Sequence, residues 1–72
     1  MTQQETAAQV LQAVLRLPPQ QRTVVSLRVW EELPYARIAE ILDLSEPTVR
    51  SHMHHALVAL RRDLAALAGE PT

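Results

Sequence analysis

The chain has 72 residues, seven of them basic and eight acidic, a formal net charge of −1 and no cysteine. A chain of that length makes one small domain, burying only about 60% of the surface its unfolded form exposes, with no room for a deep catalytic cavity beside a core. Disulfides and thiolate metal sites are excluded, and no apolar run approaches the ~20 residues of a membrane-spanning helix.

With a single glycine and almost no alternating β-branched runs, the chain reads as all-α, a four-helix domain whose joints are marked by proline. A first helix is expected over residues 5–17, with Val10, Leu11, Val14, Leu15 and Leu17 as its apolar stripe. Pro18 and Pro19 end it, because proline fixes φ and lacks an N–H. That suits the first turn of a helix and not its interior. The second helix, 19–32, is apolar over much of its surface through Val24, Val25, Leu27, Val29 and Trp30, as a central helix should be. Leu33-Pro34 starts a short third helix, 35–42, with Ile38, Ala39, Ile41 and Leu42 facing inward.

Asp43-Leu44-Ser45 is a three-residue connection to a fourth helix over 46–67. Ser45 is a good N-cap and Pro47 fits the first turn after it. Gly69 is placed to end the helix. Short helix, tight turn, longer helix is the layout of a helix-turn-helix. Ala39 provides the small side chain that a close crossing favours. Asp43 stands where a turn glycine is usual and tolerates left-handed backbone better than most residues.

Three histidines, His52, His54 and His55, fall within four positions of the fourth helix. At ~100° per residue, Val49, Met53, Ala56, Leu57, Leu60 and Leu64 fall on one side, continued by Leu67, and make the expected buried stripe. Arg50, Ser51, His54, His55, Arg61 and Arg62 lie on the other, with His52 on the flank. Charge follows the same division. Residues 45–62 carry Arg50, Arg61, Arg62 and the three histidines against Glu46 alone, whereas residues 1–44 carry four arginines against five acids.

His52 and His55 could share a metal ion, but two imidazoles alone make a weak site and no acid is placed to complete it. No metal or other cofactor is expected. No serine nucleophile pairs with a histidine and an orienting acid at a recognisable spacing, so an enzyme is not expected either. DNA accounts for more of the pattern. An exposed helix after a tight turn is the element that enters the major groove. There Arg50 can bond a guanine edge in bidentate fashion, and Thr48, Ser51 and the imidazoles can bond bases or phosphates.

The stretch LPPQQRTVVSLRVWEELPYARIAEILDLSEPTVRSHMHHALVALRRDL resembles region 4 of bacterial sigma factors of the sigma-70 family, and in particular the extracytoplasmic-function group. LPPQQR opens the second helix as that family's LPxxQR does. ELPYARIAEILDLSEPTVRSH follows the family's helix-turn-helix, and ALVALRRDL follows its basic, apolar tail. The resemblance implies a function in transcription initiation: promoter recognition at the −35 element, in the major groove, with core RNA polymerase as partner through the flap of its β subunit. An anti-sigma factor is a further partner that the resemblance allows. The absence of lysine, phenylalanine and asparagine, types with AT-rich codons, agrees with a GC-rich bacterial genome. The cytoplasm is the expected compartment, and the N-terminal MTQQETAAQ lacks the layout of a signal peptide.

Carried over by position, the resemblance assigns DNA contact to Pro47, Thr48, Arg50, Ser51, His54 and His55, with His52 beside them. Arg22, Arg28 and Arg37 near the motif's entrance could add phosphate contacts, although a solvated surface arginine is the plainer reading of each. Trp30 and Tyr35 read as core residues rather than contacts. Pro47 stands where the family pattern has glycine. His52 and His55 stand where it often has arginine or lysine, so DNA binding should strengthen as pH falls from about 7.5 to 6 and imidazoles gain charge. Region 2 of such factors, which binds the −10 element, has no counterpart in these residues. The chain is therefore expected to be one domain of a longer protein. Two alternatives stay open. The DNA-binding domains of LuxR-type response regulators share part of the pattern, echoed in Val49, Arg50 and His52. A protein-interaction helical module would show no salt-dependent affinity for any duplex.

Overall fold

The computed structural model describes residues 3–67, with side chains for residues 7–66. Helix α1 spans Gln3–Leu15 and α2 spans Pro19–Val25, continuing into a π-helical segment, Ser26–Trp30; α3 spans Tyr35–Leu42 and α4 spans Glu46–Leu67. The chain is all-α, as its proline punctuation predicts. Gly69, the expected stop of the last helix, lies outside the described residues.

Each joint follows from the residues in it. Pro18 is extended, with φ −54° and ψ 152°, and Pro19 takes the first position of α2. The Pro18 carbonyl accepts the first helical bond, from the Arg22 N–H at 2.9 Å. Pro34, at φ −69° and ψ 155°, performs the same task for α3, its carbonyl accepting from Arg37 and Ile38. At the end of α3, Asp43 adopts the left-handed conformation, φ 56° and ψ 46°. The Leu44 N–H then reaches back to the Ala39 carbonyl at 2.9 Å, and the Asp43 N–H to Glu40 at 3.3 Å. This reversed pair of bonds satisfies the last carbonyls of the helix and turns the chain sharply. Ser45 starts α4 by accepting the Thr48 N–H on its Oγ at 3.2 Å, a cap worth about 1 kcal/mol.

The core is a single apolar cluster drawn from all four helices: Val14 and Leu17, Val24 and Val25, Ile38 and Ala39, then Val49, Met53 and Ala56. Ile38, Val24 and Val49 are its largest wholly buried side chains. Among the described residues no polar or charged side chain is buried. The central element is α4, which packs against α1, α2 and α3. Its 22 residues span about 33 Å, long enough to serve three partners. The second helix is thus not the hub that its apolar content suggests.

Several residues expected inside lie outside. Leu11, Leu15 and Ile41 are about half exposed, as are Val29 and Trp30. Leu57 is 43% exposed because it sits at the edge of the buried stripe of α4. For Val29 and Trp30 the cause is the π turn. The Glu31 N–H bonds Ser26 rather than Leu27, at 3.3 Å. A wider turn advances each side chain by a smaller angle, so the inward face inferred from α-helical spacing no longer points inward.

Candidate nucleic-acid interface

The polar face of α4 starts at its capped end. Pro47, Arg50, Ser51, His54 and His55 are all exposed, and Thr48 and His52 are half-buried on the flank. At ~100° per residue the five exposed residues occupy one continuous sector, opposite Val49, Met53 and Ala56. Val58, Arg61, Arg62 and Ala65 continue that sector along the helix and line a shallow cleft of about 320 Å³. The sequence places the histidines outward, and the structure does the same. Arg37 is also exposed, but it lies on α3 and is paired with Glu40 at 3.4 Å.

The individual groups differ in freedom. The Thr48 hydroxyl sits 2.7 Å from that of Ser45, so it is partly committed to the cap. His54 and His55 meet edge-to-face, with ring centroids 5.7 Å apart. Arg50 pairs with Glu46, one turn earlier, at 3.5 Å. Both side chains are largely in water, where such a pair is worth little, so Glu46 leaves Arg50 available to a stronger acceptor. Among the described residues no group of three histidines or carboxylates is arranged to hold a metal ion, nor is any helix long and apolar enough to cross a membrane.

Two features escaped the sequence reading. Tyr35 packs against the core from a half-buried position, and its ring also carries two guanidinium groups. The Cζ atoms of Arg28 and Arg50 lie 4.6 and 4.8 Å from its centroid. Residues 28, 35 and 50 belong to three elements, so no local spacing could have announced the cluster. The second feature is a groove of about 360 Å³ lined by α1, α2 and the π segment, where Leu11, Leu15 and Trp30 meet Leu27 between Arg22 and Glu31. Its sequence signal was the width of the apolar face on α1, which exceeds what one core stripe needs. No residue of α3 or α4 lines it.

Comparison with known proteins agrees with this geometry. Residues 7–60 match the family model described as Sigma-70, region 4. The "RNA polymerase sigma-E factor" of Streptomyces coelicolor is 42% identical over 66 residues, covering 90% of this chain and 37% of that protein. The factor of the same name from Streptomyces avermitilis is 41% identical over 64 residues, covering 88% of this chain and 36% of that protein. The "ECF RNA polymerase sigma factor SigW" of Bacillus subtilis is 36% identical over 63 residues, covering 88% and 34%. The chain thus spans a little over a third of the length of these relatives. With the family model matching residues 7–60, which hold α2, α3, the tight turn and the start of α4, this chain belongs to the sigma-70 region 4 family.

Proposed function

We propose that the chain is a promoter-reading module rather than an enzyme, placing the first turns of α4 in the major groove of a −35 element. It would work within a longer sigma factor that directs RNA polymerase to initiate transcription in the cytoplasm. The observation that carries this reading is the single exposed sector of Pro47, Arg50, Ser51, His54 and His55 behind the tight Asp43 turn, in a chain matching region 4 over residues 7–60. In this reading Arg50 bonds a guanine edge. Ser51, His54 and His55 follow the groove, and Thr48, His52 and Pro47 lie against the backbone. Arg37 reaches a neighbouring phosphate by exchanging its weak pairing with Glu40.

Polymerase docking belongs to a different surface. The Leu11–Leu15–Trp30 groove is the site we assign to the β-subunit flap. The groove shares no residue with the polar sector of α4, so DNA and polymerase can be held together. An anti-sigma factor covering either surface would block initiation. The apolar groove equally supports a second reading, a protein-docking module that touches no DNA.

Fluorescence anisotropy with short duplexes separates the two. One duplex carries a −35 element with an AAC core, and the other is scrambled. Promoter reading requires preference for the first, with a log–log salt slope of about −3 to −4 for three or four phosphate contacts. Absence of affinity for either duplex at low salt sinks the proposal and leaves the docking module. Exchanging His54 and His55 for alanine tests the histidines: weaker binding of the AAC-core duplex is expected, and unchanged affinity removes them from the interface.

A further inference from the structure

We infer that Tyr35 is a positioning residue for DNA recognition: its ring holds the Arg50 guanidinium ready for a base edge and sets Arg28 beside it as a phosphate anchor. This rests on the reading of α4 as the groove-entering helix. Tyr35 opens α3 and packs against the apolar core, so its ring is fixed from behind. Arg28 comes from the π segment and Arg50 from the second turn of α4. Both guanidinium carbons nevertheless lie within 5 Å of the centroid of that one ring.

Each arginine has a second tether that leaves part of its fork free. Arg28 donates from Nη1 to the Leu33 carbonyl at 3.0 Å. That carbonyl sits just beyond Glu32, one of two non-glycine residues with positive φ among the described residues. Arg50 meets Glu46 at 3.5 Å through Nη2, a solvent-exposed pair too weak to hold it without the ring. A guanidinium presents five N–H donors in a rigid plane, so each group keeps donors for DNA. An unsupported arginine loses much rotamer freedom when it bonds a base. A ring that already restricts Arg50 lowers that loss. Two like charges beside one ring repel, which the ring's negative face offsets. A phosphate arriving next to Arg28 would relieve that repulsion too. Base reading by Arg50 and backbone anchoring by Arg28 are thereby coupled through Tyr35.

The test uses the 72-residue chain and the same AAC-core and scrambled duplexes. Tyr35→Leu removes the ring and keeps an apolar side chain against the core. Tyr35→Phe keeps the ring and removes only the hydroxyl. The preference for the AAC-core duplex should fall about 2- to 5-fold in Tyr35→Leu, the range of one exposed cation–π contact, and stay at the parent value in Tyr35→Phe. In an Arg50→Ala background, Tyr35→Leu should cost no further preference, whereas a purely structural role would give the same loss in both backgrounds. Equal loss in Tyr35→Phe and Tyr35→Leu, or full additivity with Arg50→Ala, overturns the proposal. A DNA-free measurement keeps it separate from the promoter reading. The 15N relaxation of the Arg50 Nε–H should show a restricted side chain in the parent and in Tyr35→Phe, and a mobile one in Tyr35→Leu. Restriction that survives Tyr35→Leu overturns the positioning role, whatever the duplexes show. A parent chain with no duplex preference but a ring-dependent Arg50 would refute the promoter reading alone.

Discussion

The helix-turn-helix half of the molecule and the α1–α2 half obey the same packing rules with unequal legibility: of the described residues expected inward in α3 and α4, only Ile41 and Leu57 are exposed. In α3 and α4 the small Ala39, the left-handed Asp43, the Ser45 cap and the stripe of Val49, Met53 and Ala56 stand where local spacing puts them. In α1 and the second helix, four of the ten apolar residues that the sequence offers to the core are about half exposed: Leu11, Leu15, Val29 and Trp30. The difference teaches that apolar spacing reports which residues avoid water, and not what they avoid it with. A helix that serves only its own core carries one stripe. A helix that also lines a surface groove, as α1 does in the groove we propose for docking, carries a wider one.

The strongest way to break that comparison is to truncate one apolar residue on each side of the division. Ile38, wholly buried, should cost about 2–5 kcal/mol on mutation to alanine, since transfer and cavity terms add. In a domain this small that approaches its whole stability. The same change at Leu15, 58% exposed, should alter the unfolding free energy by no more than about 0.5 kcal/mol, the range of ordinary surface changes. Equal losses at the two positions would mean that α1 buries Leu15 in solution, and the groove would cease to exist as a docking face.

The next contrast is functional. Arg50→Ala should weaken the AAC-core duplex by about 1–3 kcal/mol, the discrimination of one bidentate base contact, and leave polymerase capture intact. Trp30→Ser should do the reverse: unchanged duplex affinity in anisotropy, with loss of association to core polymerase in a pull-down. Loss of both activities in either variant would show that the two surfaces are one.

What was legible follows the range of the interactions. The Ser45 cap and the Asp43 turn are settled within three or four residues, and those the sequence displays in full. The outward sector of α4 needs only helical periodicity, so its histidines could be placed without a structure. The π turn at Ser26–Trp30 depends on how Leu33 and Pro34 re-enter the fold, with the Leu33 N–H bonded to Leu27 at 3.1 Å. Nothing in Ser-Leu-Arg-Val-Trp demands it, and with it went the placement of Val29 and Trp30. Tyr35 is the hardest case. Its two arginines come from residues 28 and 50, and only the assembled turn brings them to one ring.

Removing the cap should sharpen the picture of the legible half. Ser45→Ala deletes the acceptor of the Thr48 N–H and should cost about 1 kcal/mol, read as a lower urea midpoint at unchanged slope. It should also free the Thr48 hydroxyl from its 2.7 Å partner. Duplex affinity should then fall by less than stability does, because the exposed sector we propose for DNA begins beyond the cap. A loss of affinity equal to that of Arg50→Ala would instead make the cap part of the interface.

The smallest expected effect separates the two turns themselves. Glu32 and Asp43 both have left-handed backbone, at φ 55° and φ 56°. For a glutamate that conformation costs about 1–2 kcal/mol, from Cβ crowding against the following carbonyl, whereas aspartate offsets part of the cost through local hydrogen bonding. Glycine removes the crowding but loses more entropy on folding, which takes back about 0.4–1 kcal/mol. Glu32→Gly should therefore raise stability by about 0.5 kcal/mol, and Asp43→Gly should leave it within about 0.3 kcal/mol of the parent. If the order is reversed, the strain sits in the helix-turn-helix and not behind the π segment. The Glu32 turn would then be an unstrained joint, set by the Leu33 bond to Leu27 and the Arg28 bond to Leu33 alone.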